Sequence, residues 1–196
     1  MIAAILLAAG ASRRFGRDNK LLAPAPGGPV LARALRLARA APVARLILVT
    51  GHQHVRVAGA ARRIDRRVVV VRARRHARGM GESLAAGARA LWRRETRAFL
   101  FLADMGALDP RLAGRLLRGG RGAQAVRPVA RGRAGHPVLL GPALLATART
   151  LGGEAGLQGA IGALGPRERR LVAADRRVLA DADRPPLLRR KVPRLR

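Results

Sequence analysis

The chain of 196 residues has no cysteine and no tyrosine, and aromatic residues make up only 2% of it. The missing thiols exclude disulfides and any zinc or iron–sulfur centre that needs cysteine ligands, which fits a reducing cytoplasm. So few aromatic rings leave little to stack single-stranded bases on. Acidic residues are scarce as well, 11 against 40 basic ones, for a formal net charge of +29. The only lysines are Lys20 and Lys191, so the charge is carried by arginine. Those arginines are spread along the whole sequence rather than gathered in one block. The expectation is nonspecific, salt-sensitive sticking to polyanions, not dedicated nucleic-acid recognition. Long apolar runs are also missing. None approaches the roughly 20 residues that span a bilayer. The short run "MIAAILLAAGA" has its basic residues after it, on the wrong side for a signal peptide. The reading is a soluble, cytoplasmic protein with no membrane partner.

What is present is a core-forming composition, 49% hydrophobic, in a chain of one-domain length. The runs at 2–8, 45–50, 67–72 and 98–103 are continuous rather than alternating, as suits parallel strands covered on both faces. Helical patterns lie between them at 29–41, 54–64, 82–94 and 109–119. Pro29 opens the first, and Asp109 with Pro110 opens the last. This alternation predicts an α/β fold, a three-layer, doubly wound and mostly parallel sheet of Rossmann-like type. After Gly119 the rhythm changes. Residues 124–141 read as two short strands around a basic loop, a small β-hairpin insertion. Short helices are expected at "PALLATARTL" and "GLQGAIGAL", and late strands at "RRLVAA" and "RVLADAD". Residues 1–196 are therefore expected to form one domain, with 184–196 as a basic tail.

In a doubly wound sheet, ligands bind beyond the carboxyl ends of the strands. The segment after the first run, "LAAGASRRFGRDNKLL", lies there. Gly10 and Gly16 let main-chain amides approach a ligand. Arg13, Arg14 and Lys20 add positive charge, and Ser12 adds a hydroxyl. This is the chemistry of a polyphosphate cradle, although the spacing is neither a P-loop nor G-x-G-x-x-G. On the residues alone, a basic surface loop fits as well. Asp104 follows the run "AFLFLA" directly. A carboxylate there is placed to hold Mg²⁺, which takes one or two carboxylates beside phosphate oxygens and water. It is equally an aspartate opening a turn.

The opening motif resembles L-A-A-G-x-S-x-R-x-G-x-x-K-L-L of the molybdenum cofactor nucleotidyltransferases, most of all the molybdopterin cytidylyltransferase-like branch, with a slightly longer spacer before Lys20. The resemblance implies a nucleotide-diphospho-sugar-transferase-like fold and transfer of a nucleoside monophosphate from a nucleoside triphosphate, CTP favoured, with Mg²⁺. It places Leu7, Ala8, Ala9, Gly10, Ser12, Gly16 and Lys20 on the nucleotide, with Lys20, Arg14 and Asp104 as catalytic residues. "LADMGALDP" is similar to the G-D-M-P motif whose aspartate binds metal; Ala103 and Gly106 depart from it. "LADADRPPLL" resembles D-[IV]-D-T-P-E-D-L, which implies Asp183 as a second metal ligand. "GMGESLAAG" and "LVTGH" imply Ser83 and Gly51 near the base. "GHPVLLG" implies His136 and Pro137 at the second substrate, a molybdopterin-type cofactor destined for a recipient molybdoenzyme. In "GGEAGLQG", Glu154 and Gln158 stand where the pattern has Asp and Arg. Two alternatives remain at this point: a guanylyltransferase acting on the same cofactor, and a non-catalytic chaperone that carries it.

Overall fold

The computed structural model describes residues 1–11, 19–25, 27–105, 108–154 and 156–179. The first half alternates strand and helix: β1 (Ile2–Ala8), α1 (Val30–Ala40), β2 (Arg45–Thr50), α2 (His54–Ile64), β3 (Val69–Arg72), α3 (Met80–Arg89), β4 (Arg97–Leu102) and α4 (Leu112–Gly119). Then come β5 (Ala125–Ala130), β6 (Arg133–Ala134), β7 (Val138–Leu140), α5 (Pro142–Thr150), α6 (Gln158–Ala163) and β8 (Arg169–Ala173). The sheet runs β3-β2-β1-β4-β7-β5-β6, and β8 also pairs with β5. Strands β1 to β4 are mutually parallel. β7 is antiparallel to both β4 and β5, and β8 is parallel to β5.

The continuous apolar runs have a simple cause. Successive side chains of a strand point to opposite faces, and here both faces are covered. Ala4, Leu6 and Ala8 of β1 pack with Leu31 and Leu35 of α1, Val57 of α2 and Leu116 of α4. Ala3, Ile5 and Leu7 pack with Leu84 and Ala88 of α3, Leu144 and Leu145 of α5 and Ile161 of α6. The result is the expected three-layer, mostly parallel α/β sheet.

Four details differ from the sequence reading. The hairpin at 124–141 is smaller than expected: β5 and β6 are joined at Arg131–Gly132, both with positive φ (49° and 70°). Positive φ at both turn positions suits the right-handed twist of a tight hairpin. The next strand, β7, instead enters the main sheet between β4 and β5, where Leu139 and Leu140 are fully buried. The helix expected at 82–94 is α3, which starts at Met80 and ends at Arg89. It stops because Glu95 folds back and accepts the Trp92 N–H at 2.7 Å, closing a turn. Asp109 does not cap α4. Its side chain accepts from the Arg111 N–H at 2.9 Å, forming a turn that precedes the helix. Arg176–Leu179, which overlaps the start of the strand expected at "RVLADAD", is a 3₁₀ turn, packed against the β6–β7 connection through a His136 N–H bond to the Val178 carbonyl, 3.4 Å. No helix among the described residues is long and apolar enough to cross a membrane.

Candidate active site

A cleft of about 670 Å³ opens at the carboxyl ends of β1 and β4. The end of β1 supplies Leu7 and Ala8, and the chain continues through Ala9, Gly10 and Ala11 along the wall. A 3₁₀ turn, Lys20–Leu22, then brings Lys20 in. Asn19 starts that turn by accepting the Leu21 N–H at 3.0 Å. Its cap leaves Lys20 almost fully buried, only 4% exposed.

Across the cleft, Asp104 follows β4. Its Oδ2 lies 3.4 Å from Lys20 Nζ. That is long for a charge-assisted contact, which settles at about 2.7–2.9 Å. The Asp104 side chain keeps 35% of its surface exposed, against 5% for that of Lys20. A buried ammonium and an open carboxylate thus meet at the cleft floor, and Lys20 is the only hydrogen-bond partner of Asp104 among the described residues. A partly exposed carboxylate of this kind fits a hard divalent cation that takes its remaining ligands from phosphate and water. No group of three or more histidine or acidic side chains among the described residues forms a closed metal cage.

The other expected residues fall into three groups. Ser83, in the first turns of α3, lines the cleft. Gly51 does not line it but shapes it. A Cβ there would lie 2.5 Å from His76 Cγ and 2.8 Å from the Ala9 carbonyl oxygen. Its role is clearance rather than contact, and the imidazole of His76 occupies the space. Arg13, Ser12, Arg14, Gly16 and Asp183 lie outside the described residues.

His136 and Pro137 sit between β6 and β7, joined by a cis peptide bond, and neither lines the cleft. Burial, reinforced by the neighbouring Arg127 guanidinium, pushes the His136 pKa down to about 4, and only the Asp104 carboxylate opposes this. The imidazole is therefore neutral at pH 7. It is close enough to Asp104 to feel its charge, yet it is no proton carrier there. Arg127 is held by Gln158 Oε1 (3.0 Å) and the Ala134 carbonyl (3.2 Å). Burial lowers its pKa in turn. This arginine was not singled out by the sequence.

The cleft also contains residues that sequence reasoning missed, His52, His76, Gly79 and Met80, and, from the turn before α6, Glu154, which the sequence marks as standing where the family pattern has Asp. Gly79, at φ 134°, lies so close to that turn that a Cβ would sit 2.2 Å from the Gly153 carbonyl oxygen. The Gly81 N–H donates to the same oxygen at 3.0 Å. The available signal was position. His52 and His76 follow β2 and β3 as Asp104 follows β4, so the rule that led to Asp104 applies to them equally.

The sequence matches the model of the MobA-like NTP transferase domain over residues 4–171. Similar solved structures include Rv0371c from Mycobacterium tuberculosis H37Rv, with a TM-score of 0.75 and 27% identity over 89% of each chain. The same protein in complex with manganese aligns with a TM-score of 0.71 and 26% identity, over 89% of this chain and 88% of that one. A nucleotidyl transferase from Methanothermobacter (Mth528) aligns with a TM-score of 0.70 and 26% identity, over 90% and 88%. No curated protein matches the sequence. A cleft of about 670 Å³ at the strand ends, lined by a cation and a carboxylate, accords with these likenesses: the chain belongs to the MobA-like NTP transferase family and is a nucleotidyltransferase.

Proposed function

We propose that this nucleotidyltransferase moves CMP from CTP to the terminal phosphate of a molybdopterin-type cofactor in the cytoplasm, releasing pyrophosphate, before the product passes to a recipient molybdoenzyme. The single observation that carries the placement of the chemistry is the Lys20–Asp104 pair across the floor of the cleft. In the reaction an oxygen of the acceptor phosphate attacks the α-phosphorus and the bond to the β-phosphate oxygen breaks. The electron pair leaves with pyrophosphate. Such a phosphate is already largely ionised at neutral pH, its second pKa being about 6. No general base is required, which suits a site whose nearby His136 stays neutral.

The residues of this chain then act by position and charge. Lys20 faces the leaving pyrophosphate; the resemblance assigns Arg14 and the loop from Ala9 to Gly16 to the same phosphates. At 3.4 Å the contact between Lys20 and Asp104 is loose, so turning the ammonium from this carboxylate towards a phosphate oxygen breaks no tight bond between the two side chains. Asp104, with Asp183, would hold Mg²⁺. When bound, Mg²⁺ neutralises the nucleotide phosphates and reduces their repulsion of the incoming anion. The resemblance puts His136 and Pro137 on the acceptor side, beyond the residues that line the cleft, and Ser83 on the base side.

A pyrophosphate-release assay with CTP, Mg²⁺ and molybdopterin tests the assignment. Lys20→Ala and Asp104→Ala are each expected to lower turnover by roughly 10²–10³, the scale of losing one preorganised charge partner. Turnover at the wild-type rate in both variants would refute it, and wild-type turnover with GTP alone would refute the choice of CTP.

A further inference from the structure

His76 has two properties that the reaction chemistry does not use. Its ring is fixed in place, and its protonation pattern is defined. The ring is fixed because its Cβ and Cγ fill the space left open by Gly51 at the end of β2, 2.6 and 2.5 Å from where a Cβ would stand. Its pattern is defined because Nδ1 lies 3.1 Å from the Ala73 carbonyl oxygen. A carbonyl can only accept, so in the neutral ring Nδ1 carries the proton and Nε2 is left with a lone pair. Ala73 is the only hydrogen-bond partner of the His76 ring among the described residues, and the residue lines the cleft together with Met80 and Ser83 of α3. His52, the other imidazole of the cleft, contacts Ala9 through its backbone N–H; no described contact fixes which of its ring nitrogens is protonated.

We infer that His76 is a specificity-determining residue: its Nε2 is a fixed hydrogen-bond acceptor that selects nucleoside triphosphates whose base bears an exocyclic amine, and disfavours uracil. The inference rests on the reading that the cleft takes a nucleoside triphosphate, and it adds what discriminates the base. An acceptor facing the amino group of cytosine gains a bond. Facing the O4 of uracil, it meets a second acceptor, and two desolvated lone pairs oppose one another. Sites built around one polar contact reject the mismatched analogue more strongly than sites that rely on shape. The clearance at Gly51 belongs to the same device, because any side chain there would displace the ring.

The test is direct binding of triphosphates by the full chain with Mg²⁺. Wild type is expected to bind CTP at least about tenfold more tightly than UTP, on the scale of one satisfied against one opposed polar contact. It should also bind CTP more tightly than the triphosphate of 2-pyrimidinone riboside, which is cytidine without its amine. His76→Phe keeps a flat ring against Gly51 and removes the acceptor. It should bring CTP and UTP to within about threefold of each other. UTP or the amine-free analogue binding as tightly as CTP to wild type overturns the inference, as does a folded His76→Phe variant that keeps the tenfold preference. If that variant does not fold, the amine-free analogue decides on wild type alone. Binding that is blind to the base sinks this inference and leaves the nucleotide site intact. Failure of every triphosphate to bind sinks both.

Discussion

The two ends of the sheet each place a basic side chain against a carboxylate, and the two pairs differ in almost every physical respect. At the amino end, Arg45 at the start of β2 grips Glu95 through Nε (2.8 Å) and a terminal nitrogen (2.6 Å), in bidentate fashion. Glu95 is fully buried. It also accepts the Trp92 N–H, while the Arg45 guanidinium lies 4.0 Å from the centre of the Trp92 ring and donates to the Ala90 carbonyl. At the carboxyl end, Lys20 and Asp104 approach only to 3.4 Å, and the carboxylate stands partly open. The first pair is closed into the fold from both sides, its carboxylate wholly out of solvent. In the second, the carboxylate of Asp104 keeps 35% of its surface exposed and stays open to a ligand. The difference lies in the carboxylate: buried and doubly bonded at one end, facing the cleft at the other.

The contrast can be broken first at the amino end. Glu95→Ala leaves Arg45 buried without its counter-ion, and such a loss costs about 3–5 kcal/mol. A denaturant melt should show that loss, while the nucleotide affinity of the remaining folded protein stays unchanged. A near-neutral effect on stability would mean that the saturated geometry contributes little. The pH dependence carries the same mark. Burial alone would raise the Glu95 pKa, but the Arg45 hydrogen bonds and the Trp92 N–H outweigh it and hold it below the usual carboxylate value. The stability it supplies is therefore complete above the unfolded-state pKa and is lost as pH falls through the lower folded value.

His136 offers a second, smaller break, next to the carboxyl-end pair. Its folded pKa of about 4 lies below the ordinary 6.5, so between those values the unfolded chain binds the extra proton. Stability is then complete above pH 6.5, falls as pH drops toward 4 and levels off below. At about 1.4 kcal/mol per unit the span is no more than roughly 3.5 kcal/mol, and less to the extent that solvent screens the ring. Melts of wild type and His136→Asn across this window should differ in slope. Parallel curves would show that the imidazole is not held neutral. The smallest effect is expected at Gly51→Ala, where the new methyl meets His76 and the Ala9 carbonyl. Overpacking of this kind costs about 1–3 kcal/mol. Here it should also loosen nucleotide binding, because the displaced groups border the cleft; unchanged binding would show that the clearance is not needed.

Much of this was legible in the sequence where local pattern and tertiary role coincide. β1, β2 and β4 are buried on both faces, so their continuous apolar runs announce them. Asp104 stood out because it ends such a run and acids are rare in this chain, but a turn-opening aspartate fitted the same position, and it was the likeness to the G-D-M-P motif that singled it out. β7 was not legible as a sheet member. Three residues, Val138–Leu140, carry no period, and their place between β4 and β5 is a matter of strand order, which only packing decides. His76 escaped for a related reason. Its fixed orientation depends on a glycine at the end of a different strand, a relation that no spacing along the chain records. Gly51 was placed near the base from the sequence; what the structure adds is the clearance it gives His76 and the Ala9 carbonyl. Arg127 was indistinguishable among so many arginines until its bond to Gln158 brought it beside His136.

The most direct test is the rise in melting temperature caused by CTP with Mg²⁺, since a ligand that binds only the folded state must stabilise it. Wild type is expected to gain several degrees. Lys20→Ala should melt at nearly the wild-type temperature without ligand and gain almost nothing with it. An undiminished gain in that variant would contradict the account, and so would a collapse of its ligand-free stability comparable to that of Glu95→Ala, for then the carboxyl-end pair would be holding the fold together rather than waiting for a triphosphate.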